Sequence, residues 1–364
     1  MKFAINRTRF IEGLKTVQNI VVAKGVSQIL QNVMIEAAGG KIVLTTTNLD
    51  ISIRCSVECD VPEEGVTTLP VKLLFSAMAK APEGNVEVRV GDDDGAVISA
   101  GKARYKIKGL PSRDFPRMNL SENVCEYRLP RQILLEMLRK TAYAASQDDT
   151  RRTLKGVLLS FRDAKLTMVA TDGRRLAMVE EEVEFPVSAA RDIVLPSKAV
   201  VELQRSLSGE GEVVVKVEKS QICFDIDGVS IYSKLIEDTY PNYMQVIPKE
   251  NDKTIQVDRQ SLLEAIDRAS VMNIDEANST KLIFESNRLT VMSAASEIGE
   301  VQDEVAIKYA GEKIEIMFDP NYVMDPLKAI DDDEVTINLK NGTSPAVIKC
   351  SIPFLYVLMP LRVS

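Results

Sequence analysis

Apolar and polar positions change their spacing repeatedly along the first hundred residues, and each change marks an element. Phe3-Ala4-Ile5 is a short strand. Phe10, Leu14, Val17 and Val21 then recur every three or four residues, which gives a helix one apolar face. Gly39-Gly40 is a turn signal, and the β-rich run Lys41–Thr47 follows it as a strand. A second helix runs from Val71 to Lys80, opened by Pro70 and closed before Pro82-Glu83-Gly84. Val86, Val88 and Val90 alternate with charged residues, as in a half-buried strand, and Gly91–Gly95 turns that strand into Ala96–Ser99.

The same succession occurs three times. Ile5-Asn6-Arg7-Thr8-Arg9-Phe10-Ile11-Glu12-Gly13-Leu14 is matched by Leu129-Pro130-Arg131-Gln132-Ile133-Leu134-Leu135-Glu136-Met137-Leu138. It is matched again by Val257-Asp258-Arg259-Gln260-Ser261-Leu262-Leu263-Glu264-Ala265-Ile266, at offsets of 124 and 128 residues. Leu69-Pro70-Val71-Lys72 returns as Leu195-Pro196-Ser197-Lys198 and, more loosely, as Asp319-Pro320-Asn321-Tyr322. Asp114-Phe115-Pro116 returns as Thr239-Tyr240-Pro241, and Thr45-Thr46-Thr47 as Val169-Ala170-Thr171. This period is far beyond the roughly 20–50 residues of a solenoid repeat and is that of a whole domain. The chain is therefore predicted to be α+β, with three similar domains at 1–120, 126–248 and 254–364, each of two helices and several antiparallel strands. The second helices are expected over Lys198–Leu207 and Tyr322–Ile330. The linkers near Asn119–Cys125 and Ile247–Lys253 are short and polar, so the domains are expected in fixed geometry rather than on flexible tethers.

Composition narrows the chemistry. The chain has 364 residues, of which 45% are hydrophobic and 27% charged, with no long apolar run and no leader pattern at its start. It reads as a cytoplasmic protein without a membrane partner. Cys55, Cys59, Cys125, Cys223 and Cys350 are odd in number and scattered, which suits buried free thiols rather than a disulfide framework. Histidine is absent, which removes Ser-His-Asp and Cys-His nucleophiles and nearly all zinc enzyme sites. The net charge of −8 argues against a uniformly basic nucleic-acid binder, though not against cations gathered on one surface.

Met1-Lys2-Phe3, Thr171-Asp172-Gly173-Arg174-Arg175-Leu176 and Tyr356-Val357-Leu358-Met359-Pro360-Leu361-Arg362 together resemble the bacterial DNA polymerase III beta subunit, the sliding clamp. The resemblance spans the whole chain. It implies a head-to-tail homodimer closed into a six-domain ring, with helices lining the hole and sheets outside. Duplex DNA would pass through the hole without being read for sequence. Lys24, Lys72 and Lys198 match basic positions of the family. Lys15, Arg139, Lys140, Arg205, Arg268 and Lys328 lie on the predicted helices, although Asp267 holds the place taken by Lys15 and Arg139 in the other repeats.

The resemblance also implies a groove in which the replicative polymerase, the clamp loader and other replication and repair proteins dock a short linear motif. Carried over, it comprises Leu154, Thr171, Gly173, Arg174, Arg175, Leu176, Pro241, Val246, Tyr322, Thr343, Pro345, Val357, Leu358, Met359, Pro360, Leu361 and Arg362. Arg175 and Arg362 are expected to meet polar or acidic parts of a ligand, whereas Leu154, Leu176 and Val246 also fit plain core packing. Gln245, Ala277 and Arg174 depart from residues common in the family. Tyr105, Lys106, Val271 and Met272 match its dimer interface. The family implies no cofactor, no metal and no catalysis.

Two other readings stand beside this one. Asp92-Asp93-Asp94 and Asp331-Asp332-Asp333 have the composition to bind Mg²⁺ for phosphoryl chemistry, or they are solvated turns; no P-loop or Gly-x-Gly-x-x-Gly pattern accompanies them. A scaffold of repeated domains would account for the triplication without a ring.

Overall fold

The computed structural model describes residues 1–21, 27–91, 94–121, 124–185, 189–272, 279–295 and 299–361. Its α-helices there are α1 Arg7–Val17, α2 Val71–Lys80, α3 Arg131–Thr141, α4 Ser197–Ser206, α5 Arg259–Ser270 and α6 Pro320–Ala329. They fall two to each repeat, and antiparallel strands fill the intervals, as the α+β reading predicts. Val21 is buried but lies outside α1, because a 3₁₀ turn at Gln18–Ile20 ends the helix first.

By density of internal packing the chain divides into two compact units, residues 1–132 with 201–235 and residues 133–200 with 236–364. The division runs through the middle repeat, because its strands join two different sheets. In the first unit, Cys125–Pro130, Glu212–Val217, Gln221–Ile226 and Val229–Lys234 continue into Ile51–Glu58, Lys41–Thr47, Asn32–Ala38 and Gly65–Pro70 as one eight-stranded sheet. A five-stranded sheet runs Asp60–Glu63, Lys2–Asn6, Asn85–Val90, Ala96–Ala100 and Ala103–Ile107. In the second unit one twelve-stranded sheet starts at Arg191–Pro196, passes through Arg175–Glu182 and Phe354–Leu358, and ends at Ile314–Phe318. Strands of successive repeats thus pair with each other, which removes sheet edges that would otherwise be open.

The repeated decapeptide has a local structural logic. Asn6 caps α1 by accepting from the N–H groups of Thr8 and Arg9, and Asp258 caps α5 by accepting from Ser261 N–H at 2.7 Å. The arginine at the third place of each copy ties the unit together, in the first and third copies onto the end of the second helix and in the second copy onto the turn and strand that follow α4. Arg7 N–H donates to the Gly84 carbonyl and its guanidinium to Met78 and Ala79. Arg131 N–H donates to Gly211 and its Nε to Glu212. Arg259 N–H donates to Asp333, and its guanidinium to Asp332 and Leu327. A cation beside the last carbonyls of a helix satisfies unpaired acceptors and opposes the negative end of the dipole.

Phe10, Gly13, Leu14 and Val17 form the buried face of α1 against Lys41–Thr47 and Ile51–Glu58. Leu262, Ala265, Ile266 and Ala269 do the same for α5. The cysteines are free, but only Cys55 and Cys223 are buried; Cys59, Cys125 and Cys350 are half-exposed, so the sequence expectation of buried thiols holds for two.

Candidate partner-docking groove

Four of the candidate residues, Arg175, Leu176, Val357 and Leu358, meet where Arg175–Glu182 pairs with Phe354–Leu358. Leu176 faces Val357 and Arg175 faces Leu358 across that ladder. Leu158, Val169, Leu176, Val194 and Val357 make a buried apolar floor, with Met178, Ile236, Tyr240, Tyr243, Ile247 and Leu355 packed against it. Leu176 and Leu358 are therefore core residues. Val246, Met359 and Leu361 are exposed by 54%, 44% and 38%, which leaves three apolar side chains open to solvent. Met244, which no motif singles out, is also exposed, by 56%. Its thioether carries no periodic signal in a short 3₁₀ segment, so only the accessible surface reveals it.

A tight turn builds one wall. Asp172 Oδ1 accepts from the N–H groups of Arg174 and Arg175, Thr171 Oγ1 accepts from Gly173 N–H, and Gly173 has φ of +87°. Only glycine adopts that angle freely. Met359 N–H donates to the Arg174 carbonyl at 2.9 Å, so the end of the chain is laid along this turn, and Leu361 N–H donates to Met317 at 2.8 Å. Leu154 is half-buried and anchors its segment through its carbonyl, which accepts from Ser146 N–H. Pro345 precedes Ala346, which pairs with Leu358, whereas Thr343 is committed to the turn around Asn341. Pro241 is exposed, beside Tyr240 on the floor. Arg362 and Ala277 lie outside the described residues.

Arg175 departs from its expected role. Its Nε meets Asp172 at 3.1 Å, its Nη1 meets Asp325 at 2.5 Å, and its Nη2 donates to the Tyr143 carbonyl at 2.6 Å. The guanidinium also lies 4.2 Å from the Tyr322 ring centroid and 5.7 Å from that of Tyr143. Burial works against the charge, yet Tyr356, Asp325 and Asp172 outweigh it and hold the Arg175 pKa above its ordinary value. The Tyr356 hydroxyl in turn donates to the Tyr322 carbonyl at 2.7 Å, and burial pushes that phenol well up. Arg175 is thus enclosed by partners. Asp325 sits one helical turn beyond Tyr322, and its part was not legible from the repeat.

The expected cations divide in the same way. Lys15, Lys72, Lys198 and Lys328 are exposed on their helices. Arg205 pairs with Glu202 at 2.6 Å, Arg139 with Asp331, and Arg268 with Asp303 at 2.7 Å. Lys140 differs from expectation: it is buried, and its ammonium is bound to Glu136 one turn back at 3.2 Å. Its place on the apolar side of α3 takes it away from solvent. Lys24 lies outside the described residues. Tyr105 and Lys106 belong to Ala103–Ile107, an edge strand of the five-stranded sheet. Val271, just after α5, is 72% exposed, and Met272 beside it is half-exposed.

The acidic runs have local explanations. Asp331 pairs with Arg139, the Asp332 carboxylate accepts from Ser351 N–H, and the Asp333 carbonyl accepts from Arg259. Asp92 and Asp93 lie outside the described residues. Among the described residues no group of three His, Cys, Asp or Glu side chains is placed to hold a metal, and no helix is long and apolar enough to cross a membrane.

Comparison with known proteins accounts for all three repeats. Residues 1–120 match the N-terminal domain of the DNA polymerase III beta subunit, 128–242 its central domain and 244–362 its C-terminal domain. The chain belongs to the DNA polymerase III beta subunit family. It is 31% identical over 374 residues to the beta sliding clamp of Caulobacter vibrioides, covering all of both chains. The beta sliding clamp of Chlamydia pneumoniae is 29% identical over 362 residues, 100% of this chain and 99% of that one. A sliding clamp from Bartonella birtlesii bound to griselimycin has a TM-score of 0.95 at 32% identity over the full length of both chains. That of Bacillus subtilis has a TM-score of 0.96 at 26% identity, again over the full length of both. The clamp fold of this family therefore extends through the whole chain, and its triplication is the repeat visible in the sequence.

Proposed function

We infer that this chain is the processivity clamp of a bacterial chromosomal replicase. Two copies join head to tail through Tyr105 and Lys106 of one and Val271 and Met272 of the other, and close a six-domain ring around duplex DNA. The observation that carries this reading is the match to all three clamp domains from end to end, in a chain whose sheets join successive repeats. The ring acts by topology rather than by catalysis, and needs no cofactor or metal. Its grip on DNA is weak and sequence-independent: Lys24, Lys72 and Lys198 supply point charges, while Arg139 and Arg205 are moderated by their carboxylates and Lys140 is withdrawn.

The groove at the Arg175–Glu182 and Phe354–Leu358 joint takes a short apolar segment of the replicative polymerase. Clamp loader, repair and other replication proteins use the same place. The exposure of Val246, Met359 and Leu361 supports this, since flexible and branched apolar side chains accept anchors from several ligands. Tethering raises the polymerase concentration at the primer end. Light scattering tests the ring first: a particle of about twice the 40.3 kDa chain is expected. Loaded protein should then stay on nicked circular DNA and run off once it is linearised; a monomer, or equal release from both forms, overturns the clamp reading.

A further inference from the structure

Five residues of the second unit make the joint between repeats 2 and 3. Tyr143 follows α3, and Arg175 opens the strand Arg175–Glu182. Tyr322 and Asp325 are the third and sixth residues of α6, and Tyr356 is the middle residue of Phe354–Leu358. The rings of Tyr143 and Tyr356 lie 6.0 Å apart, the Tyr356 hydroxyl donates to the Tyr322 carbonyl, and Arg175 reaches Asp325 at 2.5 Å.

Each of these positions has a counterpart in the repeats at the two ends of the chain. The decapeptide offset of 128 residues carries Tyr143 to Val271, the exposed residue after α5. Gly299 opens the strand Gly299–Lys308 as Arg175 opens its own. Helices α2 and α6 have ten residues each, so Leu73 takes the place of Tyr322 and Ser76 that of Asp325; the looser sequence match of Lys72 to Tyr322 is one residue out. Tyr105 is the middle residue of Ala103–Ile107, which is an edge strand. Among the described residues, 299–306 also pair on one side only. Leu73 is 55% exposed although Val71 and Leu74 beside it are fully buried.

We propose that the joint between subunits repeats this internal joint in apolar form: Leu73 and Tyr105 of one subunit meet the partner's Val271, and the Arg175–Asp325 tie has no counterpart, because Gly299 and Ser76 hold its places. A head-to-tail ring of repeated domains uses the same two faces at every joint, so the geometry is inherited while the side chains differ. Leu73 is then an anchor of the subunit joint, contributing by the apolar surface it withdraws from water. There is also room for the missing tie. A Cβ at Gly299 would meet nothing closer than Met272 Cε at 3.9 Å, and Ser76 is exposed.

The proposal rests on the ring reading, and one experiment separates the two. The dimer dissociation constant is measured by fluorescence-detected sedimentation of the labelled full chain on dilution. The samples are the wild type, Leu73→Ala, Leu49→Ala, Ser76→Asp, Gly299→Arg and the Ser76→Asp/Gly299→Arg double variant. Leu49, 46% exposed in the same unit but not on α2, is the control. Leu73→Ala should raise the constant about tenfold for each joint, hence roughly a hundredfold for a ring with two. Leu49→Ala should leave it unchanged. The double variant should dimerise more tightly than its two single variants predict, by about fivefold per joint, the upper end for an ion pair near solvent. A wild type that is monomeric throughout ends the ring reading and the proposal with it. A wild-type dimer that responds to Leu73→Ala no more than to Leu49→Ala, or in which the Ser76→Asp and Gly299→Arg effects simply add, leaves the ring standing and overturns the joint.

Discussion

Replacing Gly13 by alanine sets two opposed effects against each other at one atom. In the middle of α1, alanine is favoured over glycine by roughly 1 kcal/mol, and a buried methyl adds about 0.8 kcal/mol where there is room for it. Here there is none. A Cβ on Gly13 would lie 2.8 Å from Val57 Cγ2 and 2.9 Å from Leu44 Cδ1. Comfortable carbon–carbon separation is about 3.5–4.0 Å, so both neighbours must move, and Leu44 is fully buried on the adjoining strand. Overpacking of this kind costs about 1–3 kcal/mol, and two simultaneous clashes point to the upper half of that range. After the gain in helical preference, Gly13→Ala should destabilise the first unit by ~1–2 kcal/mol. Urea unfolding followed by far-UV circular dichroism and tyrosine fluorescence would read this as a lower midpoint at unchanged slope. Val57→Ala should cancel part of the loss, giving a favourable coupling of about 1 kcal/mol in a double-mutant cycle. A midpoint raised by Gly13→Ala, or strict additivity with Val57→Ala, would show that α1 has space against the sheet and refute the reasoning. At the same repeat position Ala265 is fully buried, so Ala265→Gly should destabilise too, by ~1–2 kcal/mol, with no relief from trimming a neighbour.

Other consequences follow from the same geometry. Asp258→Ala should cost the third repeat about 1 kcal/mol, seen as a reduced urea midpoint, because it removes the cap of α5. The hydrogen bonds from Ser261 hold the Asp258 carboxyl below its ordinary value of 3.8. Its contribution is therefore complete above that value and disappears as pH falls through the lowered one, so the gap between wild type and Asp258→Ala should close in acid titrations below about pH 4. Arg259→Leu should cost about 2 kcal/mol, since the Leu327 and Asp332 carbonyls lose a charged donor; hydrogen exchange should quicken at the end of α6 before it does elsewhere. Val271→Asp should move the particle toward the monomer mass on dilution while leaving the chain folded, because Val271 is exposed within it.

Much of this molecule is written in its local sequence. Residue spacing fixes which face of α1, α3 or α5 turns inward, because the period of the backbone and the exclusion of apolar surface from water act within a few residues. The decapeptide likewise announces three copies of one unit, and its arginine holds the end of the second helix in the first and third. The family's groove positions could be carried across one by one as expectations, and the ladder between Arg175–Glu182 and Phe354–Leu358 joins four of them, Arg175, Leu176, Val357 and Leu358. What no local pattern could decide was how each charge is compensated. Lys140 and Arg139 are neighbours on one helix, yet one is buried against Glu136 and the other faces Asp331, almost two hundred positions away. Arg174 and Arg175 are equivalent in composition, and the enclosure of Arg175 by Asp172, Asp325 and the Tyr143 carbonyl distinguishes them. The repeat position held by Gly13, Met137 and Ala265 makes the same point for volume: the space facing it is set by strands that arrive from elsewhere in the chain. Periodicity is a property of adjacent residues, whereas the partner of a charge and the room for a methyl belong to segments that only the folded chain brings together.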